Sequence, residues 1–221
     1  MLKRILFAVF VTLIITGTTG FAEEAKKIQD NSFLVEEAYN QEPGVIQHIQ
    51  TFQYMKNRTW GYSFVQEWPV GGQTHQLSYT IPVYHLNKDE NKTGIGDVMI
   101  NYRYQLINKE GIAMAPRLSL VLPTGNYKKG FGRGAPGLQA NIPLSVELSE
   151  KFVTHWNVGA TFTPNAKEPG GANAHTLDFN SGASIIYLLS ENFNLMFEAV
   201  ISLRNPMPKV MAFSPPDMSG L

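Results

Sequence analysis

From residue 138 to residue 148 every even position is apolar: Leu138, Ala140, Ile142, Leu144, Val146 and Leu148. The odd positions hold Gln139, Asn141, Pro143, Ser145 and Glu147. After Ser149, Glu150 and Lys151 the alternation resumes with Phe152, Trp156, Val158, Ala160 and Phe162. A period of two over this length specifies a β-strand with one apolar and one polar face. What the chain folds into depends on whether protein or lipid covers the apolar face.

Nine such segments can be traced, over 45–55, 60–68, 75–86, 97–106, 112–122, 138–148, 152–162, 176–189 and 192–204. They are long, because strands in globular proteins usually run to about 5–6 residues whereas membrane-spanning strands need about 9–11. Eleven residues at about 3.3 Å rise, tilted by about 40°, cover roughly 28 Å, close to the apolar band of about 25 Å on a membrane barrel. The connections alternate too. Residues 108–111, 149–151 and 190–191 form short turns, while 123–137, 164–175 and everything after 204 form long polar loops. Outer-membrane barrels sort their loops this way, short on the periplasmic side and long outside.

Asp97, Arg103, Arg117, Glu147, His155, Glu198 and Arg204 all fall on the polar sides of their strands. In a soluble barrel the apolar faces would fill the interior, and this many Trp, Phe, Tyr and Leu side chains would overfill it. With lipid outside, acyl chains solvate the same residues and closure satisfies the backbone. The expectation is an all-β, antiparallel transmembrane β-barrel over residues 45–204, with those seven residues as lumen-facing candidates. Their charges read as a salt-bridge network filling a narrow lumen or as a ring that selects permeants by charge.

Residues 1–22 have the form of a secretory signal peptide: Lys3 and Arg4, an apolar run from 5 to 16, then Gly20-Phe21-Ala22 as a cleavage site. Removing Lys3 and Arg4 would take the basic count from 18 to 16 against 18 acidic residues. That balance gives no basic surface for nucleic acid. The chain has no cysteine, which excludes disulfide frameworks, thiolate metal sites and cysteine nucleophiles. No second apolar stretch is long enough for a spanning helix. Residues 23–44 are polar and acidic around Phe33-Leu34-Val35 and read equally as an unstructured arm or a partial plug in the lumen.

The stretches "NSFLVEEAYNQEPGVIQHI", "TGIGDVMINYRYQL", "APRLSLVLPTGNYKKGFGRGAPGLQANIPLSVELS" and "THWNVGATF", in this order and spacing, resemble the family named for the meta-pathway of phenol degradation. The likeness runs from about residue 31 to about residue 204. The resemblance implies an outer-membrane β-barrel transporter for small molecules, often aromatic or apolar. Implied partners are outer-membrane lipid, the barrel-assembly machinery and a small permeant. An exported soluble β-sheet protein, binding or structural, is the alternative. Nine strands depart from the even number of bacterial single-chain barrels. The proline-rich 205–221 does not alternate, so it reads as an extracellular loop or the tail of a truncated barrel.

No enzyme, cofactor or metal site is expected. His48, His75, His85, His155 and His175 share no metal-ligand spacing. A serine–histidine pair of Ser145 or Ser119 with His155 is conceivable, but nothing in the sequence marks either serine as activated. "GFGRGAPG" lacks the Lys-Ser/Thr ending and the strand-to-helix setting of a phosphate loop.

Overall fold

The computed structural model describes the backbone of residues 6–10, 33–88, 90–190 and 193–204. Among the described residues thirteen strands form one sheet: β1 (Leu6–Phe10), β2 (Gln47–Tyr54), β3 (Trp60–Pro69), β4 (His75–Lys88), β5 (Glu90–Ile95), β6 (Val98–Tyr104), β7 (Ile107–Lys109), β8 (Ile112–Met114), β9 (Arg117–Leu122), β10 (Gly137–Ser149), β11 (Phe152–Lys167), β12 (Asn173–Ser190) and β13 (Phe193–Arg204). Their order is β1-β13-β12-β11-β10-β9-β6-β4-β3-β2, with every pair antiparallel. From β2 to β13 this is a meander, and it curls into a half-barrel. The backbone of β1 pairs along β13, Leu6 opposite Val200 and Phe10 opposite Met196. Those five residues lie in the stretch that reads as a leader, so cleavage after Ala22 would leave β13 as an edge.

The distribution of side chains is inverted relative to a soluble protein. The convex face carries Ile100, Leu118, Leu138, Ile142, Trp156, Val158, Phe162, Phe179, Phe197 and Ile201, all exposed. The concave face carries Gln76, Ser78, Asn101, Arg103, Ser119, Asn141, Ser145, His155, Asn157, Ser184 and Glu198, all buried. In water, unpaired apolar area of this extent marks an interaction surface, and buried polar groups must find partners. Apolar clusters on the inside are small. Val153, Ile186 and Met196 form one at the short-turn end of β11–β13, and Ala38, Ala113 and Ala115 form another.

Three local features depart from the alternation. The segment 112–122 is two strands, because Pro116 has no N–H to donate to the ladder; the chain resumes at once, with Pro116 accepting from the Tyr104 amide at 3.0 Å. The segment 164–175 is not a long loop. β11 and β12 extend to Lys167 and Asn173 and are joined by a tight turn in which the Glu168 amide donates to Ala172 at 2.8 Å, with Gly171 at φ 89°. The apolar band ends at Phe162 and Leu177, and the hairpin beyond it is polar. Residues 87–96, lacking alternation, also pair: β5 folds back on β4, with Lys88 opposite Glu90.

The remaining long loop, 123–136, is fixed from inside. The Asp97 carboxylate, between β5 and β6, accepts from the Gly125 amide at 2.9 Å and the Arg133 amide at 2.7 Å. Thr124 Oγ1 accepts from the Val98 amide at 2.9 Å and donates to the Gly96 carbonyl at 2.9 Å. A Cβ on Gly132 would stand 2.3 Å from Asp97 Oδ1, so a larger residue there would push the anchoring carboxylate aside. The segments Gly94–Asp97 and Leu122–Gly125 are therefore the two halves of one loop anchor. Arg133 reaches Asp178 on β12, which draws the loop over the concave side. Asp97→Ala is expected to leave two amides without an acceptor and to destabilise the loop by about 1–3 kcal/mol. The check is trypsin cleavage after Lys128 or Lys129, which should accelerate while the sheet stays intact.

Candidate functional site: a strap across the lumen

Residues 33–42 cross the concave face as an extended segment, from β13 on one side to β4 on the other. This strap belongs to no strand ladder, and wall side chains satisfy its backbone instead. The Phe33, Leu34 and Val35 amides donate to the Glu198 carboxylate at 3.1–3.3 Å. The Glu36 amide donates to Asn157 Oδ1 at 2.7 Å, that of Ala38 to Ser145 Oγ at 2.9 Å, that of Asn40 to Gln105 Oε1 at 2.8 Å and that of Gln41 to Gln76 Oε1 at 2.7 Å. Asn157 and Gln105 also donate back, to the carbonyls of Glu36 at 2.6 Å and Ala38 at 2.7 Å. A side-chain amide presents the same donor and acceptor as a peptide, so a wall lined with Asn and Gln can stand in for a neighbouring strand.

The centre of the site is Glu36. Arg117 Nε donates to both of its carboxylate oxygens, at 2.9 and 3.0 Å. Asn141 Nδ2 donates to it at 2.6 Å and Arg103 Nη1 at 3.3 Å. Burial alone would raise the Glu36 carboxyl, but the Arg117 and Arg103 guanidiniums and the hydrogen bonds from Asn141 and Arg117 outweigh it and hold the group below the usual carboxylate range. Arg103 also clamps the strap, donating to Asn40 Oδ1 at 2.8 Å, to the Glu37 carbonyl at 3.1 Å and to the Tyr39 carbonyl at 2.6 Å.

A depressed folded pKa gives a sign. The contribution of Glu36 is fully present above its ordinary value of 4.5 and is lost as pH falls through the lower folded value. The Glu36 share of strap seating is therefore expected to be lost on acidification below pH 4.5. Pepsin cleavage within residues 33–42, followed with pH in detergent micelles, measures it. Glu36→Gln should remove the part of the response owed to this residue.

The structure places the seven lumen candidates in different roles. Arg103, Arg117 and Glu198 meet the strap. Glu147 borders a cavity of about 1060 Å³ on the strap's other side, shared with Glu37, Glu67, Glu110 and Arg103. His155 is fully buried, with Nδ1 2.7 Å from Ser145 Oγ. Ser145 Oγ thus accepts from the Ala38 amide and also shares a hydrogen bond with His155. The Ser145–His155 pair exists, sealed beneath the strap, whereas the Ser119 hydroxyl is hydrogen-bonded to Arg117 Nη1. Asp97 anchors a loop at the mouth. The Arg204 backbone stands opposite Asp178, and its side chain lies outside the described residues. Among the wall charges, Arg103 and Arg117 pair with Glu36, and Arg103 approaches Glu67 at 3.9 Å.

The other four histidines face outward in ring contacts. His48 lies against Phe64, His75 against Tyr102, His85 against Trp60 and His175 against Phe162, with centroids 5.4–6.2 Å apart. Among the described residues no group of three His, Cys, Asp or Glu side chains is placed to hold a metal ion.

What the sequence did not reveal is the partnership of Glu36, Asn141, Asn157, Gln105 and Gln76. The available signal was the row of amides at inward positions of successive strands, which exceeds what a water-filled lumen needs.

No curated protein matches the chain. A model of the family described as "Putative MetA-pathway of phenol degradation" matches residues 32–198, a stretch that begins beside the strap and ends at the residue binding its first three amides. With more than half of its length matched, and with the strap and the wall both inside the match, the chain belongs to the phenol-degradation MetA-pathway family.

Proposed function

We propose that this chain forms the wall of an outer-membrane β-barrel that conducts small molecules, with the strap controlling access to its lumen. The observation that carries the reading is the inverted sheet, apolar and exposed outside, polar and buried within. A wall of this kind is stable where acyl chains cover the convex face. Export by the leader at 1–22, insertion by the barrel-assembly machinery and lipid as the outer partner follow from it. So does closure: an open edge in lipid costs several kcal/mol per unsatisfied group, so the β2 and β13 sides must be joined by further strands or by another copy. No chemical reaction is part of this reading.

Fractionation tests it. The protein should remain in the outer-membrane pellet after sarkosyl extraction and raise the permeability of liposomes to a small aromatic solute. Release by osmotic shock with the periplasmic contents would sink it in favour of a soluble exported protein.

A further inference from the structure

We propose that Arg117 and Asn141, with Arg103 beside them, form a binding site for a small carboxylate, and that Glu36 of the strap occupies it as a built-in competitor. The inference deepens the conduit reading, since it assigns the chemical class of the lumen's ligand, but binding itself does not depend on flux.

Arg117 is held in place by the wall. Its Nη1 donates to Asn101 Oδ1 at 3.1 Å and to Ser119, and its Nη2 donates to Gln139 Oε1 at 3.1 Å. These three partners sit on β6, β9 and β10, not on the strap. The guanidinium is therefore fixed by the wall, and only Nε faces the carboxylate. Asn141 Nδ2, also on the wall, lies on the same carboxylate. With the strap gone, Arg117 Nε would still point at the vacated position, with Asn141 Nδ2 on the wall beside it. A receptor whose donors are pre-oriented loses little entropy on binding, and a carboxylate accepting from a guanidinium and an amide is a strong charge-assisted arrangement.

The charges agree. Arg117 lies 2.9 Å and Arg103 3.3 Å from the one carboxylate of Glu36. Removing that carboxylate leaves two neighbouring cations, with Glu67 at 3.9 Å from Arg103. An incoming carboxylate restores the pairing, and a neutral molecule of the same shape does not. Glu36 has the advantage of its tether, because an attached group competes at millimolar effective concentration. A free carboxylate should therefore displace it only at such concentrations, and should bind more tightly once Glu36 has lost its charge.

The absence of cysteine in the chain allows a direct test. Val35, buried against Gly182, is replaced by cysteine in the full-length protein in detergent, and maleimide labelling reports strap seating. Benzoate is expected to raise the labelling rate about tenfold, while phenol, the neutral ring, leaves it unchanged. In calorimetry Glu36→Gln should bind benzoate about tenfold more tightly than the wild type, and Glu36→Gln combined with Arg117→Leu should bind none. The proposal is overturned if benzoate changes neither labelling nor heat, if phenol acts as strongly, or if sulfate does, since that would describe a general anion site. The Val35→Cys measurement keeps Glu36 in place, so it decides even if Glu36→Gln does not fold. Liposome flux is scored separately: a full benzoate response without flux supports the site and removes the conduit.

Discussion

Val158→Arg is expected to destabilise the folded protein by about 2–4 kcal/mol in a bilayer, the cost of a cation near the midplane of a barrel's lipid face. Val158 is 62% exposed. In a soluble protein a substitution at such a position stays within about 0.5 kcal/mol and tends to improve solubility. The two environments therefore predict results of different size at one residue. Val158 sits near the centre of the band that runs along β11 from Phe152 to Phe162, opposite Ser181 of β12. The control is Asn173→Arg, on the polar extension of the same hairpin, where the depth-dependent penalty falls to about 0–1 kcal/mol. Urea unfolding in phosphatidylcholine vesicles reads both. Equal stabilities for the two variants would remove lipid from the convex face.

The same test separates membrane from merely apolar surroundings. If Val158 were covered by a protein partner, an arginine there would also be costly, but the cost would depend on partner concentration. Covered by lipid, it is independent of protein concentration.

The strands were legible because each obeys one rule over its whole length. Between an apolar outer face and a polar inner one every second residue is constrained, so 138–148 and 152–162 reappear within β10 and β11. Where the wall leaves the apolar band the rule lapses, and strand and loop become indistinguishable in sequence. That is why 164–175 reads as a loop although it pairs through Ala166 and Ala174, and why β5 was invisible. Pro116 could be seen, but its effect could not: proline normally ends a strand, yet here neighbouring residues keep the ladder going around it.

The strap was legible only as one of two alternatives, an unstructured arm or a partial plug. It has no period because it has no strand partner. Its bonds run to Gln76, Gln105, Ser145, Asn157 and Glu198, which lie 35 to 165 positions away. Each of those residues looks like an ordinary lumen polar group, and their common purpose exists only after the sheet has curled. Arg103 and Arg117 were identifiable as inward charges. That both would face one glutamate from the segment before the first strand was not.

Arg103→Met should release the strap while leaving the wall folded. The arginine donates to Asn40 Oδ1, the Glu37 and Tyr39 carbonyls and the Glu36 carboxylate, and methionine satisfies none of them. Breaking a buried ion pair by removing one partner costs about 3–5 kcal/mol, here with backbone acceptors left unmet as well. The wall does not share this cost in full, because the ladder of β6 with β4 and β9 uses backbone groups alone. The loss therefore falls on the strap, whose few apolar anchors are Val35 and Ala38. A cysteine at Val35 should label at the rate of an exposed thiol in Arg103→Met and remain protected with Arg103 present. The heat-modifiable gel shift of the folded wall should be the same in both. Loss of the shift together with exposure of the thiol would mean that strap and wall fold as one unit, and that the strap cannot open as a gate.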